Sequence, residues 1–280
     1  MQTPPVEAFF LPADAGQRLC IHHPPPRPGS VRGAVVYVHP FGEEMNKARR
    51  MAALQSRALA SAGFAVLQID LRGCGDSSGD FGDASWADWV DDVVRAAHWL
   101  QARYAAPLWL WGLRAGCLLA ASAAARLGGD CRFLFWQPGV AGKPLLQQFL
   151  RLKAAADLQQ GDAKATMDAL RAALAAGQPV DVAGYTLHPA LAAGLERATL
   201  DALPHASQVL WLEISTRDGA ELLPASMPRI EAWRHDGHAV STAVVPGPAF
   251  WQTQEIEDAP ALIEATLRAM TADTSCVVAA

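Results

Sequence analysis

No apolar run in this chain approaches the length that crosses a bilayer. The longest are cut by His39, Asp70, Arg114 or Glu213, whereas a spanning helix needs roughly 20 apolar residues. Disulfide pairing and zinc binding have little to build on. Cys20, Cys74, Cys117, Cys131 and Cys276 form an odd, scattered set with no CxxC pair, which reads as small buried hydrophobes in a reducing compartment. Positive charge is also scarce: 23 basic residues stand against 28 acidic ones, with no Lys/Arg stripe interleaved with aromatics. That balance speaks against nucleic acid as a partner. The densest basic patch, NKARR at 46–50, is one helix start. The opening MQTPPVEAFFLPADAG is punctuated by proline and lacks a basic segment leading into an apolar one, so the expectation is a cytoplasmic protein that does not span the membrane.

Cofactor signatures are missing too. No GxxxxGK[ST] is present, and GCGDSSG sets Gly73, Gly75 and Gly79 one residue off the dinucleotide spacing, on a late turn. His235, Asp236 and His238 in RHDGHA have ligand-type side chains, but they fall before the last strand and read as a turn. His22 and His23, before a proline run, read the same way. Neither a cofactor nor a metal is expected.

What is present is an α/β rhythm. With 51% apolar and 18% charged residues, the chain can bury a sizeable core. Two short strands at 6–11 and 17–22 precede VRGAVVYVHP, FAVLQID, APLWLWG, CRFLFWQP, QVLWLEI and HAVSTAVVPG. Helices are expected at 48–62, at 84–103 with a cap at Asp83 or Ser85, at 114–127, at 223–233 and at 256–270. Unbroken apolar strands separated by helices imply a parallel sheet covered on both faces. Residues 139–204 change character, with helices and one short extended piece (GQPVDVAGYTLHP) but no core strand. The expected organisation is a core of 1–138 and 205–280 with a helical lid at 139–204. TADTSCVVAA at the end has no evident partner.

The stretch LWLWGLRAGCLLA reads as a strand, a sharp turn and a helix, with Gly112 and Gly116 around Arg114. At such an elbow the residue between the glycines is pushed up from the carboxyl edge of the sheet. Arg114 stays protonated and cannot be a nucleophile. A cation at a helix N-terminus is also disfavoured. It needs a carboxylate, solvent or an anionic ligand. The candidates are Asp218 in EISTRDG and Glu43 or Glu44 in the loop HPFGEE; the other reading is that Arg114 simply reaches solvent. Cys117, beside Leu118 and Leu119, reads as a buried thiol. Cys74 is expected to be more exposed in its loop, where Ser77 and Ser78 cap the turn. His39 is the one histidine at the carboxyl rim, and its ring is expected to brace the loop through backbone bonds.

VHPFGEEMNKARR, FAVLQIDLRGCGDSSGDFGD and WGLRAG together resemble the α/β-hydrolase superfamily. Through HPFGEEMNK, GLRAG and PGPAFWQ the chain is similar to the second group of hydrolase-like proteins associated with exosortase A systems in bacteria. The resemblance implies the α/β-hydrolase fold, with a mostly parallel eight-stranded sheet, helices on both faces and a helical lid. It further implies a cytoplasmic step beside polysaccharide export or protein sorting to the envelope. Superfamily catalysis uses a nucleophile, an acid and a histidine in that chain order. The nucleophile position matches Arg114, the acid position matches Asp218, and the histidine position falls on Phe250 or Trp251. The oxyanion loop reads His39-Pro40, and Pro40 has no N–H, which leaves the Phe41 and Ala115 amides to meet an anion.

Two functions follow. One is a catalytically silent relative that binds a small acyl or anionic ligand, or a protein partner, through Arg114, Ala115, Phe41, Glu43, Glu44, Phe250 and Trp251. The other is an ester or thioester hydrolase with a displaced catalytic set including His39 and Asp218.

Overall fold

The computed structural model describes residues 5–27, 29–156, 163–204 and 207–272. Cys276 and the rest of the C-terminal tail lie outside the described residues. Eight strands form one sheet: β1 (Glu7–Pro12), β2 (Gln17–His23), β3 (Gly33–Val38), β4 (Phe64–Ile69), β5 (Leu108–Leu113), β6 (Cys131–Trp136), β9 (Gln208–Ser215) and β10 (Ala239–Pro246), in the spatial order β1-β2-β4-β3-β5-β6-β9-β10. β1 runs antiparallel to β2, and β2 antiparallel to β4. Every other pairing in the sheet is parallel.

The unbroken apolar runs have a simple cause: both faces of the central strands are covered. Ala34, Val36 and Val38 of β3 join one core, with Leu108 and Leu110 of β5. Val35 and Tyr37 of β3, with Trp109, Trp111 and Leu113 of β5, join the other. Period-two alternation therefore sends apolar side chains to both sides. Helices α2 (Trp86–Gln101) and α3 (Ala115–Leu127) pack against the first face. Helices α1 (Glu43–Ser61) and α8 (Pro260–Ala272) cover the second, while α7 (Met227–His235) packs on β10. Ser85 caps α2 in a reciprocal box: its Oγ accepts from Asp88 N–H at 3.2 Å and its N–H donates to Asp88 Oδ2 at 2.8 Å.

Between β6 and β9 the described residues add no strand to the main sheet. They form α4 (Gly142–Ala156), α5 (Ala163–Ala175) and α6 (Pro189–Arg197), with a separate antiparallel hairpin of β7 (Val180–Val182) and β8 (Tyr185–Leu187). The expected extended piece is thus a hairpin. α6 packs on α2, and α4 packs on both α5 and α6. Among the described residues no helix is long and apolar enough to cross a membrane.

Three helix starts correct the sequence expectation: α7 begins at Met227 instead of 223, α8 begins at Pro260 instead of 256, and α1 differs most in consequence. The helix placed at 48–62 begins at Glu43, so Glu43 and Glu44 sit in its first turn and not in a loop. Carboxylates are stabilised there by the free amides and the helix dipole, which outweighed the absence of an apolar period at that point.

The elbow itself is held by contact distance. A Cβ on Gly116 would lie 2.2 Å from the Val38 carbonyl oxygen, and one on Gly112 would lie 2.5 Å from the Cys117 amide nitrogen. Gly116→Ala is expected to destabilise the fold by about 3 kcal/mol, lowering Tm by roughly 5 °C, because backbone on both sides must move. Thermal and urea unfolding of the variant would measure this.

Candidate functional site

Arg114 ends β5 and starts α3 with φ 56 and ψ −117. For a residue with a Cβ this backbone is strained, and it persists only where the surroundings enforce it. The enforcing contacts are visible: Arg114 N–H donates to Trp136 O at 3.0 Å, and Cys117 N–H returns to Arg114 O at 3.1 Å. Together with the two glycines, these bonds raise Arg114 from the carboxyl edge of the sheet.

Its guanidinium is neither free nor paired with Asp218. Nε donates to Glu44 Oε1 at 3.3 Å, and Nη2 donates to Gln148 Oε1 of α4 at 2.7 Å. The guanidinium carbon lies 5.8 Å from the centre of the Trp251 ring. The Arg114 and Glu44 side chains are 13% and 10% exposed, so this pair is mostly withdrawn from water. Burial pushes the Glu44 carboxyl above its ordinary range, and Arg114 is the largest influence holding it down, followed by a hydrogen bond with Gln252. One cation therefore ties together α1, α3, α4 and the loop after β10.

Of the three carboxylates expected near Arg114, Glu44 makes the pair. Glu43 lines the same cavity, and its Oε2 has no protein partner. Burial raises its pKa too, partly offset by a backbone hydrogen bond. Asp218 is exposed in the loop after β9, away from these bonds. That loop is anchored by Glu213 instead: the carboxylate is 2% exposed and accepts from Trp211 Nε1, Ser226 Oγ and Leu223 N–H at 2.9, 2.5 and 2.7 Å.

His39 is 5% exposed, with Nδ1 2.8 Å from Pro40 O and Nε2 3.4 Å from the Leu71 amide nitrogen. The tautomer that satisfies both contacts carries the proton on Nδ1 and accepts at Nε2. Burial lowers its pKa, so the ring is neutral and both nitrogens are engaged by backbone. Phe250 is fully buried, edge-on to Trp136 and Trp251; of the two rings after the last strand, Trp251 is the one beside Arg114.

The cavity at the elbow is lined by Phe41, Glu43, Glu44, Arg114, Ala115 and residues of α4, and its volume is about 20 Å³. That space has room for about one water. The walls from α4 are Leu145, Gln148 and Phe149.

Two further expectations meet the structure nearby. Cys117 is fully buried, with its thiol pushed well up by burial and its Sγ 3.8 Å from Trp136 O. Cys74 is a correction: it is 6% exposed, not open in its loop, and burial raises its thiol as well. The GCGDSSG turn folds down because Ser77 Oγ donates to Asp70 O at 2.5 Å, while Gln17 and Leu19 N–H donate to Ser78 and Ser77 Oγ. Among the described residues no cluster of His, Cys, Asp and Glu is arranged to hold a metal.

The sequence reading missed Gln148, Gln252 and Gln137. Gln137, at φ 43, ends β6, donates its N–H to Leu212 O at 2.7 Å and accepts from Ile214 N–H at 2.8 Å. The positive φ leaves no trace in a glutamine codon position. Gln148 lies 34 residues from Arg114 in the chain, inside an insertion whose docking the local pattern does not encode.

Replacing Arg114 by Ala removes the counter-charge of a mostly buried carboxylate. At neutral pH the expected loss is roughly 2–3 kcal/mol, below the range for a fully buried pair because both groups keep some contact with water. The pH dependence has a definite sign. Burial raises Glu44 in the folded state, so stability is lost as pH rises through its folded value. Without Arg114 that value rises further. The deficit of the variant is therefore small below about pH 4, where Glu44 is protonated, and grows toward pH 8. Urea unfolding of both proteins across that range measures it.

Residues 29–165 match the family described as "Serine aminopeptidase, S33". No curated protein matches the chain. Among solved structures it is similar to a thermostable carboxyl esterase from Bacillus coagulans, at 17% identity and a TM-score of 0.65, covering 99% of this chain and 100% of that one. It is similar to a monoglyceride lipase from Saccharomyces cerevisiae, at 18% identity and a TM-score of 0.62, covering 96% of each chain. Est1E from Butyrivibrio proteoclasticus gives 14% identity and a TM-score of 0.60 over 95% of this chain and 97% of that one. By its sheet order and its likeness to these structures the chain has the α/β-hydrolase fold, and its residues 29–165 are similar to the serine aminopeptidase family.

Proposed function

We propose that this protein is a non-hydrolytic α/β-hydrolase relative that binds a small acyl or anionic ligand at the elbow. The carrying observation is Arg114 itself, held at the strained apex with its guanidinium on Glu44 and Gln148. A protonated guanidinium cannot attack a carbonyl. What it supplies is a fixed cation beside the Phe41 and Ala115 amides, the groups placed to meet an oxyanion or a carboxylate.

Entry requires α4 to give way, since the cavity has room for only about 20 Å³. An incoming anion would take Arg114 Nη2 from Gln148, a neutral acceptor, and leave the Glu44 pair in place. Glu43 faces the same space, Trp251 backs the guanidinium, and Phe250 supports Trp251 from the core. The displaced-catalyst reading finds no support in this geometry, with His39 held by backbone on both nitrogens and Asp218 exposed on its loop. We also assign the chain, on HPFGEEMNK, GLRAG and PGPAFWQ, to the hydrolase-like proteins associated with exosortase A systems. That assignment rests on those residues alone.

Purified protein is expected to give no turnover above background with short- and long-chain acyl esters or thioesters, and no labelling by a serine-directed covalent probe. Arg114→Ser is expected to stay silent as well, because among the described residues no imidazole lines the elbow cavity to activate the new hydroxyl. Turnover that survives Arg114→Ala and disappears in His39→Ala would overturn the proposal.

A further inference from the structure

Helix α4 has two occupied faces. Leu145, Gln148 and Phe149 form one wall of the elbow cavity. Lys143, Leu146, Gln147 and Leu150 line a second, much larger space between α4, α5 and α6. At 100° per residue these two sets point roughly 160° apart, so the helix separates the two spaces. The second space is a groove of about 480 Å³, within the range that accommodates a small organic ligand.

Its lining is segregated. Leu146 and Leu150 of α4, Leu174 of α5 and Ala192 of α6 make an apolar floor. Lys143 and Arg171 bring two cations to it from different helices, against a single carboxylate, Glu196. Both cations are in exposed pairs, Lys143 Nζ at 3.8 Å from Glu196 Oε1 and Arg171 Nη1 at 3.6 Å from Asp168 Oδ1. Pairs of this kind are weak and screened, and exchange partners readily. An apolar floor selects a hydrocarbon chain, and two lining cations whose carboxylate partners, Glu196 and Asp168, are held at 3.6–3.8 Å can exchange one of them for an anionic head.

We propose that the groove between α4, α5 and α6 is a binding site for a small amphiphile with an apolar chain and an anionic head group, of which a medium-chain carboxylate is the simplest member. This goes beyond the elbow reading, because it concerns the opposite face of α4 and holds whether or not the elbow cavity ever opens. The orientation follows from the lining, with the chain along the leucines and the head between Lys143 and Arg171.

The test is calorimetric titration of the full chain with decanoate below its micellar concentration, beside acetate and decyltrimethylammonium. Decanoate is expected to bind at least tenfold more tightly than either. Ala193→Phe, at a half-buried position of the groove wall, fills the space. Arg171→Glu reverses the charge at an exposed position and keeps the question open should the first variant fold poorly. Each is expected to weaken decanoate at least tenfold. Equal affinity for the cationic analogue, undiminished binding in both variants, or no binding at all would overturn the proposal. Loss in Arg114→Ala with retention in Ala193→Phe would place the ligand at the elbow and overturn it too. A concentration-dependent dimer in sedimentation that Ala193→Phe dissolves would assign the groove to a second copy of the chain, with the same consequence.

Discussion

A strained backbone at one residue is what the rest of this structure serves. Arg114 holds φ 56 because the chain must turn from a buried strand into a buried helix with no room beside it. Gly112 and Gly116 remove the two Cβ atoms that would collide with the Cys117 backbone and the Val38 carbonyl. The cost of such a conformation, on the order of 1–3 kcal/mol, is spread over a sheet whose central strands are sealed on both faces. Neighbouring strands cannot yield without disturbing two cores at once.

Charge compensation follows from that geometry. A cation forced to the apex, where the α3 dipole disfavours it, is stabilised by a carboxylate from the first turn of α1, where the same kind of dipole favours an anion. Glu44 and Arg114 thus solve each other's problem. Gln148 adds a neutral acceptor from the insertion, and Trp251 presents a ring face to the guanidinium. The elbow is therefore a structural junction as well as a site: cation, carboxylate, amide and ring come from four separate segments. The cavity left beside this junction is small, about 20 Å³, with room for about one water.

Much of this is legible in the sequence, and the rest is hidden for identifiable reasons. The strands show themselves because double-sided burial leaves no polar position in GAVVYV or LWLWGL, and the glycine pair shows the elbow because no other residue fits. That Arg114 needs a carboxylate, an anionic ligand or a path to solvent follows from its charge alone. Which partner it takes is not legible: Glu44 reads as a loop residue because apolar periodicity marks only the later part of α1, and the acidic first turn precedes it. Gln148 carries no local signal, since its role depends on how α4 docks. Cys74 misled because a glycine-rich polar turn reads as exposed, whereas the Ser77 and Ser78 hydroxyls pull it onto β2 and bury the thiol. Asp218, expected near Arg114, is exposed on the loop after β9, because the carboxylate that anchors that loop is Glu213.

The central claim is that the guanidinium at the apex is locked and not available as a mobile surface cation. Nitrogen-15 NMR of the arginine side chains tests this directly at neutral pH. The account predicts a resolved, slowly exchanging Arg114 Nε–H with hindered rotation about its Nε–Cζ bond, and loss of both properties in Glu44→Gln. A freely rotating Arg114 guanidinium that exchanges with solvent as fast as the exposed arginines would contradict it.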